Sequence, residues 1–220
     1  MKICVFPRSR SDAPLHIPEC DVALFGFSAL GEVDYESELS GRTDKFGEMA
    51  RLSFSEKCAI LCGCTTDSRG LKRRSVAAAD RGRLLGISDM LNVLDGDEVR
   101  CGAGLGIYTL SGYKVGVIVD GDLCFPEIIK SLSECGCNLA VAVMREVSDE
   151  IPPLIIRSYA YLYGVPIVMV ASGTAYFADI SGIIATSNQS VCTFETVPKN
   201  AYRLVTSRRR GLIPRESGDY

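Results

Sequence analysis

The chain reads as an α/β protein with mixed sheets, and three observations predict it. Short β-rich runs alternate with amphipathic segments along most of its 220 residues. A hairpin signal, Asp80-Arg81-Gly82, interrupts that alternation, so antiparallel pairing accompanies the parallel strands that β-α-β order implies. An apolar strand over 115–119 then passes through a tight turn, Asp120-Gly121-Asp122, into a helix that opens Phe125-Pro126-Glu127.

Taken in order, the pattern predicts strands over 2–6, 21–25, 58–65, 75–79, 83–87, 105–110, 114–119, 139–143, 166–171, 175–178 and 190–195. It predicts helices over 44–57, 125–135 and 153–163. In the second helix Ile128, Ile129, Leu132 and Cys135 recur at helical spacing, Pro126 suits the first turn and Gly136 stops the run. In the third, Leu154, Ile155, Tyr159 and Leu162 form a stripe that Gly164 ends. There is no Pro/Ser/Gly-rich linker, repeat or low-complexity tract, so one domain over 1–220 is expected, with the polar residues 211–220 as a tail.

Composition narrows the function classes. At 47% hydrophobic and 23% charged the chain is ordinary globular material. A net charge of −3, with one local basic run at 208–210, gives no footprint for nucleic acid. No segment is long and apolar enough to span a bilayer, and the amino terminus is too short an apolar run for a signal peptide, so a cytoplasmic protein is expected. The ten cysteines suit free thiols in a reducing compartment, and Cys62-x-Cys64 and Cys135-x-Cys137 lack the Cys-x-x-Cys spacing of zinc or redox sites. The single histidine, His16, sits in a Pro-flanked loop and excludes a multi-histidine metal site. No metal or cofactor is expected. Gly102-x-Gly104-x-Gly106 lacks the lysine and spacing of a phosphate loop, and Tyr159, Tyr161 and Tyr163 read as core and rim of a helix.

The stretch with chemical content is Gly116-Val-Ile-Val-Asp120-Gly-Asp122-Leu-Cys124-Phe-Pro-Glu127. Strand, sharp turn and helix is how α/β folds display a reactive side chain beside a helix amino terminus. This stretch resembles the nitrilase (carbon–nitrogen hydrolase) superfamily, in which a strand ending Gly-Val-x-Ile-Cys-Tyr-Asp is followed by two residues and Phe-Pro-Glu. Further pieces fall in the family's order: the opening strand, Asp21-Val-Ala-Leu-Phe25, the Asp80 hairpin, Gly136 to Ala142, Val165 to Ala171 and Tyr176 to Ser181. The resemblance implies a four-layer α-β-β-α sandwich and a homodimer packed through helical faces, with the helices after the elbow and at Pro153 as candidates. Residues 7–21 look too short for the family's usual first helix.

That family works with a cysteine nucleophile at the elbow, a glutamate base near the end of the second strand and a lysine after the hairpin. The resemblance places Asp120 in the nucleophile position, Phe27 in the glutamate position and Asp89 in the lysine position. A carboxylate at 120 forms no thioester, a phenyl ring at 27 accepts no proton, and a carboxylate at 89 repels an oxyanion. No catalytic residue is therefore expected. Asp89, Asp120, Asp122, Cys124 and Glu127 remain as candidates for a ligand pocket.

Alternatives stay open on these residues. Cys124, near a helix start, is a candidate relocated nucleophile, although no histidine stands near it in sequence. Asp120-Gly-Asp122 mimics the Asp-x-Asp motif of haloacid-dehalogenase-like phosphatases, without the later acidic pair those proteins use. If Asp89, Asp120 and Asp122 share a cleft, they bind a cation or amine; otherwise Asp122 and Glu127 cap the helix and an arginine neutralises Asp120. The expected function is a non-catalytic homologue that binds a small ligand or a protein partner, and the rival is an amidase with an altered nucleophile.

Overall fold

A computed structural model of the chain describes residues 1–8, 17–93, 96–147 and 150–202; His16, the basic run at 208–210 and the tail at 211–220 lie outside them. The first half contains strands β1 (Lys2–Phe6), β2 (Val22–Phe25) and β3 (Glu32–Asp34), helices α1 (Tyr35–Leu39) and α2 (Lys45–Ser55), then β4 (Ala59–Ser68), β5 (Leu71–Asp80) and β6 (Arg83–Asp89). The second half contains β7 (Gly106–Leu110), β8 (Tyr113–Val119), α3 (Pro126–Glu134), β9 (Leu139–Val143), α4 (Ile151–Tyr163), β10 (Ile167–Ala171), β11 (Thr174–Ala178), β12 (Ile184–Ser187) and β13 (Cys192–Glu195).

Two mixed sheets result. One runs β13-β1-β2-β4-β5-β6, with β3 beside β4; the other runs β12-β11-β10-β9-β8-β7. Within each, three adjacent strands are parallel (β1, β2, β4 and β8, β9, β10), and antiparallel strands extend the edges, through hairpins except at β13, which joins β1 from far along the chain. The parallel strands β2, β9 and β10 are buried along their whole length because both faces are covered.

Alternation along each strand explains the layers. Ile3, Val5, Leu24, Leu61, Val117 and Val141 point between the sheets and form the central core. Their neighbours Cys4, Phe25, Ile60 and Cys62 turn outward under Phe46, Met49 and Ala50 of α2. On the other sheet Ile118, Ala140 and Met169 turn outward under Ile129 and Leu132 of α3 and Ile156 and Ala160 of α4. The architecture is the four-layer α-β-β-α sandwich.

The predicted hairpin at Asp80–Gly82 forms, with both Arg81 (φ 49°) and Gly82 (φ 79°) left-handed as a type I′ turn requires. The same device closes β4–β5 at Arg69-Gly70 and β7–β8 at Ser111-Gly112. The β4–β5 hairpin extends past the predicted strands because Thr65 to Ser68 pair with Leu71 to Arg74, where charge masks the strand pattern. Helix α3 follows the prediction, with Pro126 in its first turn and Cys137 N–H bonded back to Leu132 O at 3.0 Å beyond left-handed Gly136. Strands β3 and β12 and helix α1 are too short for periodicity to single out.

Residues 196–201 form a strap across both layers. Thr196 N–H donates to Met1 O, Lys199 N–H to Asn138 O and Ala201 N–H to Gly164 O. The Asn200 amide adds bonds to Ser133 O and Cys137 O at 2.7 and 2.9 Å.

Two close approaches position the elbow, and each needs a missing Cβ. At Gly116 on β8 a Cβ would stand 2.7 Å from Leu132 of α3; at Gly63 on β4 it would stand 2.9 Å from the Phe27 backbone and from Val143. Gly116→Ala should therefore lower unfolding stability by about 1–3 kcal/mol through overpacking. Denaturant melts should show much of that loss relieved when Gly116→Ala is made in a Leu132→Ala background; equal losses in both backgrounds would mean the contact is not the cause.

Candidate functional site at the elbow

Strand β8 delivers Val119 to the carboxyl edge of its sheet, and the chain then turns through a 3-10 segment, Asp120–Cys124, before α3. Asp120 takes a left-handed backbone, φ 45°, which a non-glycine residue adopts only when its surroundings hold it there. Those surroundings are ionic. The Asp120 Oδ2 is ion-paired with Arg74 Nη1 at 2.8 Å and accepts from Arg145 Nε at 3.0 Å, while Oδ1 accepts from the Arg145 backbone N–H at 3.2 Å.

Arg74 lies on β5 in the opposite sheet. Its side chain is only 7% exposed, and its fork is shared: Nη1 and Nη2 also bind the two oxygens of Asp97 at 2.8 and 2.5 Å. Nη1 further touches Met90 Sδ at 3.9 Å. Arg145, two residues beyond β9, stands at the rim with half its side chain in solvent. Two guanidinium groups and two carboxylates thus close on one another across the carboxyl edge of both sheets.

Asp122 is committed elsewhere. It accepts from the Leu91 N–H at 2.9 Å, from the Asn92 N–H at 2.8 Å and from Asn92 Nδ2 at 2.9 Å. Burial pushes its carboxyl above the ordinary aspartate range, against the lowering effect of those donors. It fastens the 91–92 segment to the elbow and does not cap α3, whose N-cap is Phe125 without a side-chain cap bond. Glu127 does not cap it either; it is exposed in the first turn. Cys124 is exposed while Asp120 and Asp122 are buried, so the thiol faces away from the ion pairs.

Asp89 does not join Asp120 and Asp122 in a cleft. Pairing of β6 with β5 sets Ser88 opposite Val76 and Asp89 opposite Ser75. Val76 belongs to the central core, so Ser88 points inward, where it bonds Tyr108 OH of the facing sheet at 2.8 Å. The next residue must face out. Asp89 accepts from Ser75 Oγ at 2.6 Å on the α2 side of the sheet and lies 3.7 Å from Arg73 Nε. The inward residues of this stretch are Ser88 and Met90.

Phe27 follows β2, with its backbone against Gly63 and near Val143, and its ring packs on the central core. It therefore borders the β9 end that carries Arg145, but contributes no polar atom. Sequence reasoning missed Arg74, Arg145, Asp97 and Asn92. One signal was available: Arg73-Arg74 precedes the apolar run 76–79, and strand alternation must turn one of the two arginines inward. Among the described residues no group of three or more His, Cys, Asp or Glu is arranged to hold a metal ion.

No family model and no curated protein sequence matches the chain. Solved structures do. An amidase variant from Nesterenkonia sp. AN1, carrying the Michael addition product of acrylamide at its active-site cysteine, superposes with a TM-score of 0.72 at 11% identity, covering 97% of this chain and 100% of that one. A cysteine-to-serine mutant of that amidase, described as from the nitrilase superfamily, gives 0.70 at 11% over 90% and 92%. The amidase from Nesterenkonia sp. gives 0.69 at 12% over 96% of each chain. At these identities the likeness shows the fold, which is that of nitrilase-superfamily amidases.

Arg74→Ala would leave the Asp97 and Asp120 carboxylates buried without their shared cation, and should cost about 3–5 kcal/mol. Arg145→Ala removes a half-exposed partner and should cost no more than about 1 kcal/mol. Urea titrations of the two variants would check the ranking, which equal losses would contradict.

Proposed function

We propose that this chain is a nitrilase-superfamily homologue that does not hydrolyse amides or nitriles and instead binds a small ligand or a protein partner. The observation that carries the reading is the residue at the elbow: Asp120, ion-paired to Arg74 and Arg145, where a thiol nucleophile would be needed. The reading does not depend on fine register. Residues 116–123 contain no cysteine, 25–31 no carboxylate and 86–91 no lysine or arginine. Loss of a nucleophile alone is worth on the order of a million-fold in turnover.

The left-handed backbone at Asp120 favours a second reading, an amidase that uses the carboxylate as nucleophile, because strained elbows accompany reactive residues. Attack by Oδ on an amide would form an anhydride and expel an amine that needs a proton. The groups bonded to Asp120 are guanidinium and backbone N–H donors, which are poor proton sources at neutral pH. A panel of amide, nitrile and carbamoyl substrates should show no turnover above buffer. Turnover abolished by Asp120→Ala would sink the non-hydrolytic reading.

The same proposal includes a homodimer and a cytoplasmic home. Support for the first is the exposed apolar row Ile151, Leu154, Tyr161 and Leu162 on α4; for the second, ten unpaired thiols. Among the described residues no helix is long and apolar enough to cross a membrane. Sedimentation at micromolar concentration should give twice the 23.8 kDa chain mass, and Leu154→Glu/Leu162→Glu should return a monomer. A wild-type monomer would remove the dimer.

A further inference from the structure

At the edge of the first sheet opposite the elbow, three cysteines come together where sequence spacing gives no hint of it. Cys4, Cys20 and Cys58 all face the outer core cluster beneath α2. The Cys20 thiol interacts with those of Cys58 and Cys4 within this cluster. Cys4 and Cys58 are buried, whereas Cys20 is half-exposed and lines a cavity of about 680 Å³ together with Lys2, Glu19, Glu56 and Lys57.

The backbone suits a bond between two of them. Val22 of β2 pairs with Ala59 of β4, and the Ala59 N–H donates to Asp21 O at 3.0 Å. Cys20 precedes β2 by two residues and Cys58 precedes β4 by one, so both sit at the same end of adjacent parallel strands. That end is where the two backbones are fastened to each other, and both side chains lie on the same face, in the cluster beneath α2.

We propose that Cys20 and Cys58 are a peroxide-sensitive dithiol that closes to a disulfide across the starts of β2 and β4. The neighbouring Cys20 thiol lowers that of Cys58 and is itself raised, so Cys58 is the sulfur that ionises first. A hydroperoxide entering by the cavity is attacked by the Cys58 thiolate; the O–O bond breaks, leaving Cys58 sulfenic acid and one water after protonation. The Cys20 sulfur then attacks the Cys58 sulfur, the S–O bond breaks and a second water leaves. Two thiols lose two protons and two electrons, and one hydrogen peroxide becomes two waters. The site is independent of the elbow and of any activity there.

The test is a thiol map of the full chain. Reduced protein, freed of reductant, is treated with hydrogen peroxide and then alkylated in denaturant. The expected product has two of its ten thiols unavailable, and its digest contains the Cys20 and Cys58 peptides joined by a bond that dithiothreitol cleaves. Cys20→Ser should abolish that species and leave Cys58 alkylatable after brief exposure; its substituted position is half-exposed, so folding is preserved. Full alkylation of all thiols overturns the proposal, as do pairing of Cys20 with Cys4, oxidation confined to the exposed Cys101, Cys124 and Cys135, and Cys20 running to sulfinic acid without a partner.

Discussion

The buried Arg74 guanidinium is the interaction on which the carboxyl edge of this molecule depends. A charge with so little solvent is tolerated only when oppositely charged partners surround it, and here they come from different parts of the chain: Asp97 from the segment beyond β6 and Asp120 from the elbow of the other sheet. One cation facing two carboxylates leaves an excess of negative charge, which Arg145 offsets from the rim. The pairing explains how Asp120 is kept in its left-handed backbone, since its oxygens are bonded from two directions. Asp122 supplies a second tie, holding residues 91 and 92 by three N–H groups. Elbow, following loop and both sheets form one polar assembly.

The sandwich is the fold of amidases with an active-site cysteine, and at its elbow the charged groups are engaged with one another. A fold of this kind is a means of bringing loop ends together, and what happens there is decided by a handful of side chains. Here Arg74, one of the cations at Asp120, also ties the two sheets to each other.

Much of the layered architecture was legible because it rests on local signals. Continuous apolar runs such as 139–143 and 167–171 announced strands buried on both faces, Arg81-Gly82 announced a turn, and Pro126 with Gly136 bounded α3. The elbow was legible for the same reason, as glycine, proline and apolar residues at fixed spacing. The side chains that meet there were not. Arg74 and Asp97 are 23 residues apart and Asp120 and Arg145 are 25 apart, and nothing local couples them. Asp89 shows the limit most sharply: one residue of register decides which face of a strand a side chain occupies, and pairing of Ser75 with Asp89 settled it in favour of the outer face.

The strap over 196–201 bears on how the chain is made. β1 is flanked on one side by β2, close in sequence, and on the other by β13, some 190 residues later, and the Thr196 bond to Met1 closes the same edge. During synthesis β1 would wait with an open hydrogen-bonding edge until β13 has followed. An unpaired edge is a template for other strands, and such distant pairing slows the final closure. The nascent chain is thus most vulnerable to association at β1, whose edge is sealed only when β13 arrives.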